Sequence, residues 1–126
     1  LSFYKVLISG VCLFDEFCKK TAKSTEGKKK LTKIYSFMNY MAENNNSLPE
    51  SKFNSIKNKQ KVFGYEFKEK DIRIYVLKKD PNVYIVLGGY KKNQNSDVDT
   101  LLDIVETKDL NEFITQLHLQ QSKKDE

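Results

Sequence analysis

The sequence predicts an α+β domain: a twisted antiparallel sheet with an N-terminal αα-hairpin packed on one face and a short C-terminal helix. Two observations predict it. Residues 61–92, KVFGYEFKEKDIRIYVLKKDPNVYIVLGGYKK, carry apolar alternation in three successive short runs, the period-two pattern of strands. Upstream, through 13–44, apolar residues recur at helical spacing instead. With 126 residues, 39% hydrophobic and 31% charged, the chain reads as one globular domain over 1–126 with a modest core.

Residues 3–8, Phe-Tyr-Lys-Val-Leu-Ile, are rich in β-branched and aromatic types. They predict a first strand at the sheet edge, closed by Ser9-Gly10. Phe14, Phe17, Cys18 and Ala22 then fall on one helical stripe, and Asp15 and Glu16 suit a first turn. Gly27 interrupts that pattern. A stronger stripe follows in Leu31, Ile34, Tyr35, Met38 and Met41, and Asn44-Asn45-Asn46 and Pro49 stop it. The αα-hairpin therefore spans 13–44, and 47–60 is expected to be a polar connection around Leu48 and Phe53.

Strands are expected at 61–68, 71–78 and 83–89, the last two joined by the turn residues Asp80-Pro81-Asn82. Gly88-Gly89 is best explained as a bulge or bend ending the third strand, since a bare glycine pair is no nucleotide loop. A short helix is expected at 98–105. A last one is expected at 109–119, with Leu110, Phe113, Ile114 and Leu117 on one face.

Composition excludes several classes of function. His118 is the only histidine, so no histidine-based metal site or acid–base pair is expected, and no cofactor. Cys12 and Cys18 match neither CxxC nor a zinc pattern, and they suit small core residues in a reducing cytoplasm. The apolar run Val6–Phe14 is too short to span a bilayer and lacks a cleavage site, so no membrane role is expected. The net charge of +5 fits nucleic acid or an acidic partner protein. Lys28-Lys29-Lys30 point in different directions around a helix and read as solvated surface.

The chemistry concentrates in 72–77. Ile72, Ile74 and Val76 share one face of the strand, and Arg73, Tyr75 and Leu77 the other. An arginine inside an apolar strand is costly to bury unpaired. Arg73 is thus expected to meet an opening, a carboxylate or a phosphate, with Lys91 and Lys92 just beyond the next strand.

The order of elements, with Asp71-Ile72-Arg73-Ile74-Tyr75, the run Val83 to Lys92 and the Leu48-Pro49 loop, resembles the RelE/ParE superfamily of bacterial toxins. It is most similar to the phage-derived Gp49/HigB-like branch. The resemblance implies one of two activities. One is metal-independent, ribosome-dependent mRNA cleavage; the other is binding and inhibition of DNA gyrase, as in ParE-like members. A cognate antitoxin protein would neutralise either, in a toxin–antitoxin hetero-oligomer. For RNA cleavage the message's own 2′-hydroxyl attacks, so the protein need only hold the phosphate, stabilise its charge and move a proton.

Carried onto this sequence, the resemblance makes Arg73 the clamp on the scissile phosphate, Lys91 a second basic clamp and Lys68 one of a lysine pair. Tyr90 becomes the remaining acid–base group. Tyr75, Lys92 and Lys70 would contact RNA, with Tyr75 or Tyr90 stacking on a base. Arg73, Lys68 and Lys91 are expected to converge on a shallow concave face of the sheet. The second lysine of the pair is Glu66 here, and Asp97, Val98 and Asp99 occupy the region of the family's later tyrosine. The family's terminal histidine also has no evident counterpart. A purely structural alternative pairs Arg73 with Glu66 or Asp71.

Overall fold

The chain runs β1 (Ser2–Val6), α1 (Leu13–Thr21), α2 (Thr25–Asn44), β2 (Phe53–Asn58), β3 (Lys61–Glu69), β4 (Ile72–Lys79), β5 (Asn82–Tyr90), a 3-10 turn (Lys91–Asn93), α3 (Gln94–Thr107) and β6 (Ile114–Gln116). This is a computed structural model that describes residues 1–44, 48–107 and, for the backbone, 114–116. The α+β class and the helical hairpin over 13–44 stand as expected.

The sheet has six strands in the order β2-β3-β4-β5-β1-β6, and it is mixed rather than antiparallel throughout. β1 runs parallel to β5, with Ser2 beside Asn82 and Lys5 beside Ile85. It is no edge strand either, because β6 pairs with its other side. β2 replaces the expected polar connection at 47–60 and pairs antiparallel with β3. The helix expected at 109–119 is contradicted at 114–116, which are strand; the rest of that span, with His118, lies outside the described residues.

Two apolar layers cover the two faces. On one, Phe14, Phe17, Leu31, Ile34, Met38 and Met41 of the hairpin pack on Phe67, Ile72, Ile74, Val76 and Ile85, the surface the helical stripe requires. Ser24 starts α2 by accepting the Gly27 N–H on its hydroxyl at 2.9 Å, so Gly27 lies within the helix instead of interrupting it. On the other face, Leu101 and Ile104 of α3 pack with Tyr75, Leu77, Val86 and Leu87. Full burial of each aliphatic side chain contributes about 1.5–3 kcal/mol, which holds α3 on the face expected to be open and concave.

Gly88-Gly89 does not end β5. A Cβ at Gly88 would collide with the Phe17 ring, and one at Gly89 with the Asp97 carboxylate. The pair lets α1 approach one side of the strand and α3 the other. The irregularity of the β4–β5 ladder lies elsewhere, between Tyr75 and Val76.

Candidate functional site

Arg73 sits where β3, β4 and β5 end together. Its register partners are Lys68 on β3 and Gly89 on β5. Directly opposed residues of antiparallel strands project to the same face, so Lys68 and Arg73 stand side by side on the α3 side. The guanidinium folds back toward the β3–β4 turn. There Nη1 donates to the carbonyls of Lys70 and Ile72, each at 2.9 Å. Lys70 has a φ of +55°, the left-handed conformation of the tight turn that aims its carbonyl inward.

Arg73 is 7% exposed, yet among the described residues no carboxylate oxygen lies within 4 Å of it. The purely structural pairing is therefore not what the fold adopts. Asp71 is taken by Lys30 at 2.7 Å, and that hydrogen bond holds its carboxyl below the usual range. Glu66, 5% exposed, accepts from Asn54 at 3.1 Å and from Gln94 at 3.0 Å. A buried carboxylate is thus held by two neutral amides.

Tyr75 follows Arg73 on the same face and is 0% exposed. Burial, reinforced by Glu66 and Asp97, drives its hydroxyl far above the usual phenol range. Asp97, in the first turn of α3, rests its carboxylate on Gly89. Burial raises its carboxyl above the usual range, and Lys20 on α1 opposes the shift.

Among the described residues, five enclosed side-chain polar atoms have no hydrogen-bond partner: Asn39 Oδ1, Asn54 Oδ1, Arg73 Nε, Tyr75 Oη and Asp97 Oδ2. Buried polar groups are normally satisfied. Four of these atoms belong to residues on the α3 face of the strand ends or to the first turn of α3.

The sequence-predicted residues divide between the faces. Lys68 is half-buried beside Arg73, and Lys70, Lys91 and Lys92 are exposed. The Lys91 N–H donates to the Asp71 carbonyl at 2.7 Å, which ties the 3-10 turn to the β3–β4 turn. Lys68, Lys70, Arg73, Lys91 and Lys92 therefore gather at one end of the sheet. None of them has a carboxylate within 4 Å among the described residues.

Neither tyrosine joins Arg73 in an open site. A ring as buried as that of Tyr75 cannot stack on a base. Tyr90 pairs with Ile72, which puts it on the opposite face from Arg73. Its hydroxyl lies 3.2 Å from Thr21 Oγ1 and its ring packs edge-on against Phe17 at 5.2 Å. With Asp71 and Lys92 it lines a small surface pocket of about 250 Å³.

Sequence reasoning gave no role to the carboxylate that lies against Gly89. Asp97 stood one residue before the helix expected at 98–105, so nothing placed it over the strand ends. The usable signal was Gln94-Asn95-Ser96-Asp97 itself, polar residues with an acid in the manner of a helix first turn. Among the described residues, no group of three or more His, Cys, Asp or Glu side chains comes together in a way that could hold a metal ion. No described helix is long and apolar enough to cross a membrane. Comparison with known protein families, curated proteins and solved structures finds no match.

Proposed function

We propose that this chain is the toxin of a toxin–antitoxin pair, a ribosome-dependent endoribonuclease that needs no metal and cuts mRNA through the 2′-hydroxyl of the message. One observation carries the reading: Arg73 is oriented by backbone carbonyls and, among the described residues, not neutralised by a carboxylate, with Lys68 opposite it. An arginine so held keeps its full charge and part of its hydrogen-bonding fork for an anion. Arginine is the side chain best matched to a phosphate. Lys70, Lys91 and Lys92 extend the positive surface at the same end, which suits a polyanionic strand.

In this reading Arg73 and Lys68 stabilise the charge that grows on the phosphate as the 2′-oxygen attacks. The outer lysines hold the flanking phosphates. Purified protein added to translating ribosomes in the presence of EDTA tests it. Cut messages support the reading, and intact messages overturn it. Co-expression with the product of an adjacent small gene should relieve growth arrest.

A second reading is favoured by one observation, that neither tyrosine is available at the site: Tyr75 is enclosed and Tyr90 lies on the opposite face. It makes the chain a non-catalytic or ParE-like family member that acts by binding a protein such as gyrase. Growth arrest with intact messages and DNA damage would select it.

A further inference from the structure

Asp97 is used by neither the apolar core nor the cationic end of the sheet. Its carboxylate lies on Gly89, the cross-strand partner of Arg73. Only a residue without a side chain at 89 leaves it room. Oδ2 is enclosed and partnerless, and among the described residues Oδ1 has no hydrogen bond either. The residue as a whole is half-buried, so part of the carboxylate is left to meet a bound group.

We propose that Asp97 is the proton acceptor of the cleavage reaction, positioned by Gly89 beside the phosphate that Arg73 and Lys68 hold. The inference rests on the endoribonuclease reading. The carboxylate takes the proton of the 2′-hydroxyl as the bond from the 2′-oxygen to phosphorus forms. The bond from phosphorus to the 5′-oxygen breaks, leaving a 2′,3′-cyclic phosphate. The 5′-oxygen leaves with a proton from water, and Asp97 returns its own proton to the hydroxide so formed.

The surroundings favour this role. Burial makes Asp97 a stronger base than an ordinary aspartate, which moves it toward the pH at which a general base is effective. Lys20 from α1 bears on it directly, and Tyr75 from β4 feels it together with Glu66 and Arg73; Lys68 stands one strand further on, beside Arg73. Glu66 is occupied by Asn54 and Gln94. Tyr75 is a far weaker acid than usual and fully enclosed. Asp71 is paired with Lys30 and Glu69 with Lys52, which leaves Asp97 among the described carboxylates at the strand ends.

The test compares the full chain with Asp97→Asn on ribosomes programmed with a defined message, as single-turnover cleavage rates across pH. Binding of a fluorophore-labelled short RNA is measured beside it. The expected result is a cleavage rate lower by about 10²–10⁴-fold with RNA affinity unchanged or higher. The rise of rate with pH through a carboxylate titration should be present in the wild type and absent in the variant. If the wild type cuts and Asp97→Asn cuts equally fast, cleavage stands and the role of Asp97 falls. Lost RNA binding together with lost cleavage assigns Asp97 to the fold and overturns the role. If the wild type leaves every message intact, the endoribonuclease reading falls and the role falls with it.

Discussion

Glu66 and Arg73 are opposite charges buried on the same face of the sheet, and they do not touch. Glu66 stands across from Tyr75, while Arg73 stands across from Lys68, so the two are diagonal neighbours. Each is held by neutral groups, Glu66 by amide side chains and Arg73 by carbonyls. Joining them would have given a stabilising pair with nothing left for a ligand. Keeping them apart preserves a cation at the end of the sheet.

Arg73→Lys should cost far more than a charge-conserving change suggests. An ammonium cannot bond the Lys70 and Ile72 carbonyls and still offer a planar edge to a phosphate. Cleavage by purified protein on ribosomes is expected to drop about 10²–10³-fold, the usual loss of a donor to developing negative charge. Circular dichroism should show the fold retained. A variant as active as the parent would remove Arg73 from the site.

Lys91→Ala and Lys92→Ala should act differently. Both side chains are exposed, so their removal leaves thermal stability unchanged. RNA affinity should fall, and the slope of log K against log salt should become shallower by about 0.7 for each single-strand phosphate that is no longer neutralised. Titrations at several salt concentrations measure this directly. An unchanged slope would mean that the 3-10 turn does not meet the RNA.

Asp97→Asn carries a stability signature independent of catalysis. The folded carboxyl is raised above its unfolded value, so the folded state binds more protons than the unfolded one between those two values. Stability therefore falls as pH rises through that window, and the penalty is fully present above the folded value. The variant should melt higher than the parent at neutral pH. Its advantage should vanish below the ordinary aspartate range near ~3.9. A parent that melts at the same temperature as the variant across the whole pH range would remove the strain assigned to Asp97.

Lys59 and Gln60 have φ values of +51° and +67° at the two-residue turn between β2 and β3. Both positions favour asparagine and glycine. Replacing the pair by Asn-Gly should stabilise the protein by roughly 1–2 kcal/mol, read as a higher urea midpoint with unchanged slope. A lower midpoint would show that the turn takes another form in solution.

The same turn explains why β2 was not legible. Phe-Asn-Ser-Ile-Lys-Asn is a polar strand, and Lys-Gln carries none of the residues that announce a hairpin. The helical stripes and the three central strands were legible because apolar spacing reports directly on burial. The partner of β1 was not, since pairing across about eighty residues leaves no local trace. At the site, the arginine and the lysines stood out by type. The separation of Tyr90 from Arg73 depends on strand register, which only the paired strands reveal. Asp97 was visible only as a residue in the wrong place, because its meaning comes from the glycine beneath it.

The position of β1 also governs how the molecule comes together during synthesis. The hairpins from β2 through β5 join neighbours in the sequence, so the whole cationic end can form from one continuous stretch of chain. β1 must wait for β5, and β6 for both. Contacts between distant parts of a chain form slowly because a long loop must close first. The cationic end of this protein therefore belongs to the part of the sheet that needs no such loop closure, and β1 and β6, side by side beyond β5, complete the sheet on its other side.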